Sequence, residues 1–182
     1  MAISHMATGV TTVLRHLLSI LALPFVMVVV VPRMLITSRA PDSRWPGGTT
    51  EEFVGRVAGV TLFLFGFALF AWCVRLFARV GKGTLAPWDP TTRFVAVGPY
   101  RHMRNPMITG VLTMIGGEAL FFGSRRVALW LATFFIINQI YFMLFEEPGL
   151  ERRFGSDYTR YKAAVGRWIP RLKAYRREEI DR

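Results

Sequence analysis

The sequence predicts an all-α protein, an integral membrane bundle of about four transmembrane helices followed by an amphipathic C-terminal helical segment. Three observations carry this. More than half of the 182 residues are hydrophobic (52%) and the mean hydropathy is +0.34, well above a soluble domain. The formal net charge is nevertheless +11. The two reconcile because charge is kept out of long stretches. Val57–Val74 runs 18 residues without a charge between Arg56 and Arg75, and Val127–Phe145 runs 19 after Arg125 and Arg126. Both approach the roughly 20 apolar residues that cross a bilayer core.

The first span is expected over residues 13–36, with a kink at Pro24. It is not expected to be cleaved as a signal peptide, because no small-residue cleavage site follows it and further spans do. The second covers 55–76, the third 106–122 and the fourth 127–145. Together with a loop at 77–105 and a tail at 146–182, they fill one membrane domain. The side holding the N-terminus, that loop and the tail carries 17 Lys and Arg against six on the other. The positive-inside rule then places both termini in the cytosol, in the cytoplasmic (inner) membrane. A cationic tail facing anionic lipid explains the basic balance without nucleic-acid binding.

Loop and tail therefore meet on one face, and chemistry is expected there. The loop ends in Gly98-Pro99-Tyr100-Arg101-His102-Met103-Arg104-Asn105-Pro106, which opens directly into an apolar segment. Asn is a favoured N-cap and Pro a favoured first helical residue, so a helix begins at Asn105-Pro106. A helix N-terminus beneath Arg101 and Arg104 suits an anionic group. The tail opens with Glu146-Glu147, adjacent carboxylates expected near a helix C-terminus whose dipole disfavours them. They need a cation or a ligand. Arg101, Arg104, Arg167 and a bound molecule are all candidates, and a ligand-binding role and a structural ion pair stand equal on the residues alone. Phe154, Tyr158, Tyr161 and Val165 recur at helical spacing among charges, which reads as an interfacial helix broken at Gly155.

Other singled-out residues carry less. Cys73 lies inside the second span and reads as core filler. His102 reads as a solvated loop histidine, and the Phe-rich second span (Phe63, Phe65, Phe67, Phe70) as lipid-facing or bundle surface. Trp72, Trp88 and Trp168 suit interface anchoring. Glu118, an intramembrane carboxylate, is expected to pack or to pair with Arg125 or Arg126. No metal site is expected.

The loop motif through Arg104-Asn105-Pro106-Met107 and Gly110 is followed by Glu146-Glu147, Phe154-Gly155, Tyr158, Tyr161 and Arg167-Trp168-Ile169-Pro170. In this combination the chain resembles the membrane methyltransferases, namely isoprenylcysteine carboxyl methyltransferases and phospholipid (phosphatidylethanolamine) N-methyltransferases. The resemblance covers about residues 80–171. It implies S-adenosylmethionine bound at the cytosolic end of the bundle, and a lipophilic methyl acceptor arriving from the membrane lipids. Tyr100, Arg101, Arg104, Asn105, Pro106 and Gly110 would form one wall of the cofactor site, and Glu146 and Glu147 the other. Gly81 and Gly83 would supply a Gly-x-Gly backbone contact; the alternative is a flexible exit from the second span. Arg167 and Arg171 match the arginines that orient a carboxylate acceptor. For an amine acceptor, which must lose a proton, Glu147 would be the base.

Two departures bear on the branch. Arg104-Asn105-Pro106 stands where one branch has Arg-His-Pro, and Ile108 stands where many relatives carry an aromatic. The rival class is a non-catalytic membrane scaffold that keeps the bundle and binds no S-adenosylmethionine. A reductase of the sterol-reductase type would need more spans than this length allows.

Overall fold

The computed structural model describes residues 23–38, 42, 45, 47–76, 79 and 96–176, and its elements are helical. Helix α1 is Leu23–Ile36, α2 Thr50–Leu76, α3 Pro106–Phe122 and α4 Arg125–Phe154. A 3-10 turn at Gly98–Arg101 precedes α3, and α5, Ser156–Ala164, follows α4. Helices α2 (27 residues) and α4 (30 residues) are long and apolar enough to cross a membrane, while α1 and α3 are shorter apolar helices. The outcome is a helical membrane bundle. Helix α4 does not stop at residue 145; it runs unbroken through Glu146 and Glu147 to Phe154.

Two glycine pairs set the central crossing. A Cβ on Gly59 would sit 2.6 Å from the Gly117 carbonyl oxygen, and one on Gly66 would sit 2.6 Å from that of Gly110. The reciprocal distances are 2.6 and 2.8 Å. Glycines two turns apart on each helix thus let antiparallel α2 and α3 meet backbone to backbone. Small residues drive association in just this way where lipid supplies no hydrophobic force. Phe70, Val111, Met114 and Ile115 close over the crossing, and Val28, Val127 and Phe134 join them from α1 and α4. Cys73 is fully buried, as expected of core filler, whereas the phenylalanines of α2 divide, Phe70 inward and Phe65 and Phe67 outward.

The ends are fixed by local chemistry. Gly123 takes the left-handed conformation (φ 59°) that closes α3, and the Ser124 hydroxyl accepts from the Val127 amide to start α4. Trp45 is wedged between Gly55 and Gly123, and its indole N–H donates to the Leu120 carbonyl at 3.0 Å. Arg126 does not reach Glu118. Its guanidinium goes to Ser38 and the Leu35 carbonyl, and its amide to Asp42. Glu118 Oε2 is buried with no hydrogen bond among the described residues, so the expected pair is not formed.

The two helices with a proline in their interior contain a wide π turn, at Val26–Val30 and at Phe142–Glu146. Each begins six residues before a proline, Pro32 and Pro148. A proline inside a helix has no amide to donate and crowds the carbonyl four residues back, and a widened turn absorbs both problems. In α1 the widened turn lies ahead of Pro32 rather than at Pro24. In α4 the same device sets the facing of Glu146 and Glu147.

Replacing Gly66 with Leu is expected to force α2 from α3 and to destabilise the bundle by about 2 kcal/mol. A lowered midpoint of thermal unfolding in detergent, for this variant and for Gly117→Leu, checks it.

Candidate functional site

At the end of the bundle where α2 and α4 finish, the segment 100–105 is laced to the chain beyond α5. The Arg104 amide donates to the Gly166 carbonyl (2.9 Å) and the Asn105 amide to that of Arg167 (3.3 Å). In the opposite sense the Arg171 amide donates to the His102 carbonyl and the Tyr175 amide to the Arg101 carbonyl, each at 2.9 Å. The sequence separations exceed sixty residues, and loop and tail do meet.

The ion cluster beneath this lacing centres on Glu147. Its Oε1 accepts from Arg104 Nη1 and from Arg167 Nε, both at 2.7 Å, and its Oε2 lies 3.2 Å from Lys162 Nζ. Lys162 also reaches Glu151 at 2.9 Å. The Glu147 side chain is only 6% exposed, and those of Arg104 and Arg167 are 12% and 16%. The three cations together take up both carboxylate oxygens of Glu147. Four parts of the chain are tied here: α4, the loop before α3, α5 and the segment after it.

Tyrosines form the floor. Tyr158, Tyr161, Val165 and Tyr175 are buried together. The Tyr161 hydroxyl donates to the Tyr100 carbonyl at 2.6 Å. Burial first, then the Glu147 charge, push the Tyr158 hydroxyl up to about 12, so it stays protonated beside Arg104. The apolar stripe read as an interfacial face is therefore real, but it is buried against protein. Tyr175 and the 100–103 backbone cover it before lipid can.

The predicted site residues divide. Arg104, Glu147 and Arg167 are in direct contact, and Asn105 joins them through its backbone. Pro106 is the buried first residue of α3, as expected. The Asn105 side chain caps nothing, contrary to expectation, and its Nδ2 is buried without a partner. Arg104 Nε is buried without a partner too. Tyr100 is buried with its hydroxyl against Cys73, and burial above all raises its pKa well above the usual phenol range. Glu146 lies next to the clamp on α4, with no hydrogen bond or ion pair among the described residues, and mid-helix rather than at a helix end.

The remaining residues point elsewhere. Arg101 Nε donates to the Tyr175 carbonyl at 2.7 Å, Arg171 Nη1 to the Ala164 carbonyl at 3.0 Å, and Gly110 is taken up by the α2 crossing. His102 Nδ1 sits 2.8 Å from the Arg171 carbonyl, so it belongs to the lacing instead of being a solvated histidine. Gly81 and Gly83 lie outside the described residues. Sequence reasoning missed Lys162 and Tyr158. Their facing depends on the turn at Gly155 (φ 54°, ψ −131°), which the spacing of residues does not encode.

Glu147→Gln leaves two buried guanidiniums short of an anion and should cost on the order of 3 kcal/mol. A lowered midpoint of thermal unfolding at neutral pH, relative to wild type in the same detergent, checks it.

Comparison with known proteins now adds to this geometry. The family model for phospholipid methyltransferase matches residues 54–157, from within α2 through the Arg104 loop and Glu147 into α5. No curated protein and no solved structure matches the chain. The match spans more than half of the sequence and takes in the glycine crossing, the Arg104-Asn105-Pro106 helix start and the paired glutamates, and the chain belongs to the phospholipid methyltransferase family.

Proposed function

We propose that this chain transfers a methyl group from S-adenosylmethionine to a lipidic acceptor at the membrane surface on the side of the Glu147 cluster. The observation that carries the reading is the pair of buried, unpartnered donors, Arg104 Nε and Asn105 Nδ2, at the uncapped start of α3. Two such donors and the open amides of a first helical turn suit a carboxylate. The adjacent Glu146 carboxylate, without a partner among the described residues, suits an ammonium or ribose hydroxyls. The amino-acid end of the cofactor carries a carboxylate and an ammonium side by side, so the residues present fit it.

When bound, the cofactor would supply a methyl group on a sulfonium, open to in-line displacement. The chain's contribution is placement, which accounts for much of the rate in such reactions. Arg104 and Asn105 hold the anionic end, and Tyr100 and Pro106 wall the site. Glu147, kept ionised by its cations, is a weak proton acceptor. We assign it to positioning Arg104 and Arg167 rather than to general-base work. Of the two tail arginines we assign Arg167, which is tied to the Glu147 cluster, to the acceptor, because Arg171 is engaged with the Ala164 carbonyl.

The acceptor class is a phospholipid amine headgroup or an isoprenylcysteine-like carboxylate. Membership in the phospholipid methyltransferase family favours the amine. The imbalance of 17 basic residues to six favours the cytosolic face of the inner membrane, with both termini cytosolic.

Calorimetric titration of the detergent-purified chain with S-adenosylhomocysteine tests the reading. Saturable binding is expected, weakened roughly tenfold or more (~1.4 kcal/mol) in Glu146→Ala and in Asn105→Ala. A folded chain that binds nothing contradicts it and leaves the non-catalytic scaffold.

A further inference from the structure

Beyond α5 the chain returns to the bundle. The Trp168 ring packs on Phe135 and Phe142 of α4, with centroids 5.1 and 5.7 Å apart, and its indole N–H donates to Gln139 Oε1 at 2.7 Å. Gln139 precedes Glu146 by seven residues, so Trp168 reaches about 10 Å along α4 into the apolar span. The next residues turn outward. Ile169 is 81% exposed and Leu172 completely so, although both are large and apolar.

Isolated exposed apolar residues are ordinary, but this pair has a context. Arg171, Lys173 and Arg176 follow Ile169 within seven residues. Its backbone is anchored at several points to the loop before α3. Pro170 has no amide, the Arg171 amide is bonded to the His102 carbonyl, and the Gly166 and Arg167 carbonyls accept from Arg104 and Asn105. The segment is also pinned to α4, whose Ile136, Ile140 and Met143 are at least half exposed along the bilayer-facing length. Unpaired backbone is what usually keeps irregular chain out of lipid, and here the amides and carbonyls of Arg171 and Tyr175 are tied to the 101–102 segment.

We propose that Trp168–Arg176 is a membrane wedge that seats Ile169 and Leu172 in the hydrocarbon of the leaflet on the site's side and holds anionic phospholipid headgroups against Arg171, Lys173 and Arg176. Apolar insertion beside basic residues is the usual combination for interfacial binding to anionic lipid. The anchoring role expected for the Tyr158 stripe passes to this loop, because that stripe is buried in protein. The wedge does not depend on methyl transfer, and its test reads depth rather than turnover.

The full chain carrying Leu172→Cys, or separately Ile169→Cys, is labelled with an environment-sensitive nitrobenzoxadiazole probe. Fully buried Cys73 leaves the new thiol as the reactive one, and wild type labelled in parallel gives the background. Exposed Ala163→Cys on α5 serves as the water-facing reference. The samples are placed in nanodiscs of phosphatidylcholine with phosphatidylglycerol, and of phosphatidylcholine alone. Acyl-chain nitroxide lipids should quench the 169 and 172 probes severalfold more than the 163 probe, and aqueous iodide should show the reverse order. Nitroxide quenching should also be stronger with phosphatidylglycerol present. Iodide reaching 169 and 172 as readily as 163 would overturn the wedge. Equal nitroxide quenching in the two lipid mixtures would overturn the assignment of anionic headgroups.

Discussion

One carboxylate sets the terms for the rest of the site. Glu147 projects from the last turns of a 30-residue membrane helix and neutralises guanidiniums delivered by two segments that cannot otherwise be held together. Arg104 and Arg167 are each largely buried, and a buried guanidinium without an anion is costly enough to hold the whole end of the bundle open. With Glu147 in place, the backbone lacing between residues 101–105 and 166–175 becomes affordable, and the tyrosine floor closes beneath it. The cluster concentrates charge at a membrane boundary without leaving it bare.

The membrane half supplies the rigid frame on which that clamp acts. Glycines 59, 66, 110 and 117 bring α2 and α3 into backbone contact, which fixes where the Arg104-Asn105-Pro106 start of α3 emerges. The π turn ahead of Pro148 fixes how α4 presents its two glutamates. A proline that would otherwise break a membrane helix is thereby turned to use, since the widened turn rotates Glu147 inward beneath the arginines and leaves Glu146 beside it. The division follows from geometry: one glutamate is consumed in holding the site together, and its neighbour makes no hydrogen bond or ion pair among the described residues.

Much of this was legible in the residues, for identifiable reasons. Uncharged runs and their flanking arginines marked the membrane helices because bilayer thickness imposes a length. Asn105-Pro106 marked the start of α3 because proline suits a first helical position, and Gly155 marked the break after α4. What stayed hidden depends on through-space pairing. The fourth span reads as ending at Phe145 because two carboxylates follow it, yet the helix continues to Phe154 and three cations meet Glu147 within it. The Tyr158 and Tyr161 stripe looked lipid-facing because periodicity reports that a face is apolar and not what covers it. Gly110 reads as part of the cofactor wall, whereas its neighbour in space is Gly66. Arg126 looked like a partner for Glu118, but Ser38, Leu35 and Asp42 claim it first.

The central claim is that Glu147 ties the loop before α3 to the segment after α5. Hydrogen–deuterium exchange on wild type and Glu147→Gln in detergent tests it most directly. The account predicts that the amides of Arg104, Asn105, Arg171 and Tyr175 lose protection together, by about tenfold or more, while those of α3 between Gly110 and Gly117 remain as slow as before. Unchanged protection at the four laced amides, or an equal loss across α3, would contradict it.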